Sequence, residues 1–144
     1  MNDRDGLLDQ LDGVFARIGR LTRKPWGTDM TMTFGQYAVL RLLSLQGPLT
    51  MGTIAGELEI TMAGATGLVD RLIHAGIVQR TRSEQDRRVV SVDLSPLGRE
   101  KILNLRAERR RFIRNLLNTL DDSELQALHG LLERVAAAAE QGNP

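Results

Sequence analysis

Four arginines and two carboxylates crowd into sixteen residues near the middle of this chain. Between Ile77 and Val92 stand Arg80, Arg82, Arg87 and Arg88 against Glu84 and Asp86, a local net charge of +2. Guanidinium groups keep their charge at any working pH and present a fork of donors suited to phosphates and to the acceptor edges of bases. Just upstream lies a run of small and hydroxylated residues: Thr61, Ala63, Gly64, Ala65, Thr66 and Gly67, followed by Asp70 and Arg71. Small side chains let a helix approach a groove closely, and a Thr at the helix start can offer its hydroxyl or backbone amide to phosphate.

These residues need elements to hold them. Leu68, Val69, Leu72 and Ile73 continue a helical pattern from Thr61, and Gly76 stops it. On a helical wheel Ala65, Leu68, Leu72 and Ile73 face the core; Ala63, Thr66, Gly67, Asp70 and Arg71 face outward. Two strand-like runs follow, Ile77–Arg82 and Arg88–Leu94, joined by the polar tip Ser83-Glu84-Gln85-Asp86-Arg87. Val90, Val92 and Leu94 share one face, while Ser91 and Asp93 point the other way. A helix followed by a charged hairpin suits a duplex: the helix for the major groove, the hairpin for the flanking minor groove. Taken alone, the hairpin arginines read as a solvated surface; behind a helix-turn-helix they read as nucleic-acid contacts. Gly64 and Gly67 each cost about 1 kcal/mol against Ala in a helix interior. Close approach to DNA and close helix–helix packing are both adequate reasons for them.

The rest of the chain reads as helices around this unit. Leu7, Leu8, Leu11, Val14, Phe15, Ile18 and Leu21 form one apolar stripe, and Pro25 breaks it. Thr33 and Gln36 make a capping box that opens a second helix, which Gly47-Pro48 ends. Thr50 caps a short third helix carrying Ile54, Ala55 and Leu58, and Thr61 caps the fourth. Two helices joined by a tight turn near Glu59-Ile60 constitute a helix-turn-helix. Ser95-Pro96 starts a long helix reaching about Leu120. Its arginine run (Arg106, Arg109, Arg110, Arg111, Arg114) could be a solvated face, a partner for the acidic first helix or a further attraction for DNA. Asp121 and Glu124 box the start of a last helix with Leu125, Leu128, Leu131, Leu132 and Val135. The terminal helices carry more apolar stripe than one small winged domain can cover. A homodimer built from both chain ends is expected, and its two-fold symmetry suits a palindromic site.

The fold class is therefore mainly α with a small β-hairpin wing. Residues 1–32 and 96–144 supply a dimerisation region and residues 33–95 the winged helix-turn-helix lobe, in one compact domain overall. The chain has 144 residues, a net charge of +1 and no cysteine. Any affinity for DNA must come from local clustering of charge rather than from the whole molecule. Disulfides and thiolate metal sites are excluded. No apolar run approaches the roughly 18 residues needed to span a bilayer, and the acidic N-terminus lacks a signal-peptide core. The reading is a cytoplasmic protein with no membrane contact. Only His74 and His129 are available as histidine bases or ligands, with no Gly-rich phosphate loop and no nucleophile–base spacing. A small metal-dependent enzyme is thus a weaker alternative, as is a winged dimer that binds protein instead of DNA. No cofactor and no metal are expected.

The segment Asp86-Arg87-Arg88-Val89-Val90-Ser91-Val92-Asp93-Leu94-Ser95 resembles the wing pattern Asp-x-Arg-x-x-x-Leu-x-Leu-Thr of the MarR family of bacterial transcription regulators. Val92 and Ser95 replace the usual Leu and Thr. Leu68 to Arg80 is similar to that family's recognition helix and exit, and Pro96-Leu97-Gly98 to the opening of its fifth helix. The resemblance covers nearly the whole chain. It implies a homodimer of winged lobes on a double-stranded, pseudo-palindromic operator, usually as a repressor. It implies that Asp86 braces Arg88, that Arg88 enters the minor groove, and that Thr61, Thr66 and Arg71 lie along the major-groove helix. Glu59 stands where a small residue, often Gly, is usual. The resemblance also implies release by a small aromatic or phenolic effector. Trp26, Met30, Met32 and Tyr37 could line its pocket or could be ordinary core and loop residues. The family's thiol-oxidation route is ruled out by the absence of cysteine.

Overall fold

A computed structural model describes residues 3–23 and 32–142. The chain divides into two compact units, Met1–Glu108 and Arg109–Pro144. In the first, helix α1 (Asp3–Arg23) precedes α2 (Phe34–Gln46). The capping box at Thr33 forms as its sequence predicts: Gln36 N–H donates to Thr33 Oγ1 at 3.3 Å, and Thr33 N–H to Gln36 Oε1 at 2.9 Å. Strand β1 (Leu49–Thr50) then leads into α3 (Met51–Glu57), α4 (Met62–His74), β2 (Val78–Arg82), β3 (Val90–Leu94) and α5 (Pro96–Leu116), which runs on into the second unit.

The sheet has three strands in the order β1-β3-β2, all antiparallel. The hairpin was legible in the sequence; β1 was not. Its two residues, Leu49 and Thr50, pair with Val92 and Ser91, too short a run for alternation to reveal. The hairpin strands are also shorter than their sequence suggests. Ile77 belongs to the end of α4, because its N–H bonds Leu72 C=O at 3.0 Å. Arg88 and Val89 belong to the tip, where Val89 N–H is spent on Asp86 C=O at 2.9 Å.

Both helices of the helix-turn-helix end in the same hydrogen-bond pattern. After α4, Gly76 sits at φ +73°, with Gly76 N–H on Ile73 C=O and Ile77 N–H on Leu72 C=O. After α3, Glu59 sits at φ +52°, with Glu59 N–H on Gly56 C=O and Ile60 N–H on Ala55 C=O. These are paired Schellman closures. The first uses the residue type that tolerates a left-handed backbone and the second does not.

The core of this unit is aliphatic. Val39, Leu40, Leu43, Ile54, Ala65, Leu72, Ile77 and Val92 are buried. Val69, absent from the expected core face of α4, is fully buried as well, whereas Leu68 and Ile73 are only half-buried. One face of α1 is uncovered: Leu7, Leu8, Leu11, Val14, Phe15, Ile18 and Leu21 are each at least 36% exposed.

In the second unit, α5 ends at Leu116, short of the expected Leu120, and α6 spans Asp122–Glu140. Asp121 caps α6: its Oδ1 accepts from Glu124 N–H at 2.9 Å, and Glu124 Oε2 accepts from Asp121 N–H at 2.9 Å. The Glu124 N–H, with the Ser123 hydroxyl, holds the Asp121 carboxyl below its ordinary pKa. No residue of α6 is buried, and Leu131, Leu132 and Val135 are exposed. No helix among the described residues is long and apolar enough to cross a membrane.

Candidate nucleic-acid interface

Helix α4 begins at a Thr cap, where Gly64 N–H donates to Thr61 Oγ1 at 3.0 Å. Ala65, Val69 and Leu72 seat it on the core. Its opposite side is solvent-facing: Thr61, Ala63, Gly64, Gly67, Asp70 and Arg71 are exposed, and Thr66 is half-buried. The two glycines of this helix are not places of helix–helix packing. A Cβ at Gly67 would meet nothing within 4 Å, and one at Gly64 would meet only Thr61 and Ile60. Close packing falls instead on Gly35 of α2, where a Cβ would lie 3.1 Å from Leu68 Cδ2.

The hairpin is tied to this helix by an ion pair that sequence spacing did not suggest. Arg80 Nη2 donates to Asp70 Oδ1 at 2.8 Å, across ten residues. Both side chains are about half exposed, so the pair contributes under about 1 kcal/mol to stability. Its effect is geometric: it links the wing to the outward face of α4 and sets an arginine against the carboxylate there.

The wing tip is built from local polar contacts. Ser83 Oγ accepts from Gln85 N–H at 3.2 Å and Asp86 N–H at 3.3 Å. Asp86 Oδ1 accepts from Arg88 N–H at 3.0 Å and from Arg88 Nε–H at 3.3 Å. The carboxylate therefore grips both backbone and side chain of one residue. The Arg88 side chain is 93% exposed and held at its Nε. Arg82 and Arg87 are exposed beside it.

The wing's base holds a second contact absent from the sequence expectations. Asp93, read as pointing away from the Val92 and Leu94 face, is only 8% exposed. Its Oδ1 accepts from Leu94 N–H at 2.8 Å, and its Oδ2 from Arg99 Nη2 at 2.6 Å. It does lie on the strand face opposite Val92 and Leu94, but Arg99 from the first turn of α5 closes over it. A carboxylate in a strand six residues before an Arg in a helix's first turn is the signal that could have found this pair. Ser95 locks the same junction: its hydroxyl donates to Gly76 C=O at 2.6 Å and accepts from Gly98 N–H at 3.0 Å.

Of the residues considered for an effector pocket, Met32 is a core residue at 2% exposure and Tyr37 is half-buried in α2. Trp26 and Met30 lie outside the described residues. In the arginine run of α5, Arg106 Nη2 donates to Ser44 Oγ at 3.1 Å, while Arg110, Arg111 and Arg114 are exposed. His74 is exposed; His129 lies 3.6 Å from Glu133 along α6. Among the described residues no group of three or more His, Asp or Glu is placed to hold a metal ion.

A model of the MarR family matches residues 32–90, the span from just before α2 to the first residue of β3. An HTH-type transcriptional regulator of Bacillus subtilis, YfiV, is 32% identical over 111 residues, covering 77% of this chain and 69% of its own. The crystal structure of the transcriptional regulator BldR from Sulfolobus solfataricus superposes with a TM-score of 0.68 at 28% identity, over 93% of this chain and 99% of that one. A mutant MarR of Escherichia coli complexed with operator DNA gives a TM-score of 0.74 at 20% identity, over 93% and 99%, a likeness of fold.

Proposed function

The chain belongs to the MarR family of transcriptional regulators, DNA-binding proteins of the winged-helix fold, and from this we propose that it is a homodimeric repressor of a pseudo-palindromic operator. The observation that carries the reading is the wing tip. Arg88 is held at its backbone and Nε by Asp86 and projects into solvent, on a hairpin anchored to α4 through Arg80 and Asp70. A guanidinium prepared in this way suits the narrow, electronegative minor groove of A·T-rich flanks. The outward face of α4 suits the adjacent major groove. Thr61, Ala63, Gly64, Thr66, Gly67, Asp70 and Arg71 on the helix, with Arg80, Arg82, Asp86, Arg87 and Arg88 on the wing, form the interface.

The uncovered apolar faces of α1 and α6 support pairing with a second copy. Under this reading residues 1–32 and 96–144 belong to the dimerisation region and residues 33–95 to the DNA-binding lobe. The protein acts in the cytoplasm, and a small aromatic or phenolic effector releases it from DNA.

Selection of bound duplexes from a random pool, followed by titration of the winner at several salt concentrations, tests the proposal. An inverted repeat with half-sites about one helical turn apart is expected, with affinity falling steeply as salt displaces phosphate contacts. Arg88→Ala should weaken binding and flatten preference in the flanks, with little change in folding because its ion pair is exposed. Wild-type affinity and site preference in Arg88→Ala would overturn the role given to the wing. A pool that enriches no sequence would overturn specific DNA binding and favour a protein partner.

A further inference from the structure

We infer that α4 reads its operator through the C5-methyl groups of thymine rather than through bidentate hydrogen bonds, an inference that rests on the operator-binding reading above. Base contacts in a helix-turn-helix come from the N-terminal part of the recognition helix. In the first two turns of α4 the residues offered outward are Met62, Ala63, Gly64, Thr66 and Gly67. None is an Asn, Gln or Arg, the side chains that make paired hydrogen bonds to adenine or guanine.

Asp70 follows on the same face and could accept from the amino group of cytosine. One of its oxygens, Oδ1, is engaged by Arg80 at 2.8 Å, and a carboxylate has no donor with which to make a paired donor–acceptor contact. Arg71 stands one turn beyond Gly67, past the first two turns of the helix, where a long cationic side chain suits phosphate. In its first two turns the helix offers no paired donor–acceptor set: the Ala63 methyl and the exposed Met62 thioether are apolar, and the half-buried Thr66 carries a methyl beside a single hydroxyl. The Cβ position of Gly67 opens onto free space, so a base edge can come close to the backbone beside them. In the major groove the thymine C5-methyl is the base feature that answers such a surface.

The test begins with the duplex enriched by selection. Each half-site thymine is replaced in turn by deoxyuridine, which removes the methyl and keeps every hydrogen-bonding group. Affinity should fall about 4-fold at one to three positions per half-site, the effect of one buried methyl-sized group. Substituting the same position in both half-sites should cost about 15-fold. Ala63→Gly, Thr66→Ser and Met62→Ala should each bring the thymine-to-uracil ratio close to one at its own position.

Full affinity and selectivity on a duplex whose half-site thymines are all uracil would overturn the inference while leaving operator binding intact. So would losses from 7-deazapurines that exceed every loss from uracil, since those report hydrogen bonds to N7. Uracil losses that none of the three variants alters would take the reading away from α4. A pool that enriches nothing would overturn operator binding and this inference together.

Discussion

Gly98→Ala is expected to destabilise the winged lobe by about 3 kcal/mol, although it places a better helix former inside a helix. Gly98 is the third residue of α5, and it is buried against the exit of α4. A Cβ there would overlap the Ile77 carbonyl oxygen and lie 3.1 Å from its carbon and 3.3 Å from Ile77 Cγ2. The obstacle is backbone, and that same oxygen accepts from Ser95 N–H at 2.9 Å. Helix propensity alone favours Ala by about 1 kcal/mol. Forcing the backbone apart costs about 3 kcal/mol, the upper range for overpacking, and losing the Ser95 bond about 1 kcal/mol more. Urea unfolding followed by circular dichroism, at one fixed protein concentration, reads the difference; the melting temperature should fall by about 10 °C. Because Ile77 joins α4 to β2, DNA affinity measured below the transition should fall as well. A Gly98→Ala protein as stable as its parent, or about 1 kcal/mol more stable, would refute the packing argument and leave only propensity.

Glu59→Gly should stabilise by about 0.5–1 kcal/mol in the same unfolding assay, because relief of the left-handed backbone outweighs the added freedom of the unfolded chain; a loss of stability would mean the Glu59 side chain contributes there. Asp121 has its carboxyl pKa lowered in the folded state, first by Glu124 N–H and then by the Ser123 hydroxyl, so its stabilisation is present above its ordinary value of 3.8 and is lost as pH falls through the depressed value. Acid titration followed by far-ultraviolet circular dichroism should therefore show helicity holding to about pH 4 and declining below it, with Asp121→Asn lacking that component; identical profiles would refute the capping role. Phe15→Glu puts a charge in the middle of the exposed α1 face and should shift sedimentation from dimer to monomer at micromolar protein while the circular dichroism of the fold is retained.

Much of the site was legible because its signals are local. The hairpin arginines, the Thr33 and Thr61 caps, the Asp121–Glu124 box and the stop at Gly76 each depend on residues a few positions apart. The grip of Asp86 on Arg88 spans two residues and came from resemblance to a wing pattern. The contacts that hold the candidate interface together were not legible, because each joins residues from different elements. Asp70 and Arg80 are ten apart and meet only because the Gly76 turn folds β2 back beside α4. Asp93 alternates with apolar neighbours as a solvent-facing residue would, yet the first turn of α5 covers it. Strand β1 is two residues long and exists only because β3 offers it a partner.

By itself the sequence determined which segments become helices and which become the hairpin strands, where they begin and end to within a few residues, and that charge and small side chains gather in one region. Periodicity, capping and turn chemistry act over one or two turns of chain, and they need no knowledge of the rest. Tertiary structure alone decided which side chains are engaged and which are left to act. It joined Arg80 to Asp70 and left the Arg88 guanidinium exposed, closed Arg99 over Asp93, and imposed a left-handed turn on Glu59. Those outcomes follow from distances across the fold, and hydrogen bonds and ion pairs of this kind depend on separation in space rather than along the chain.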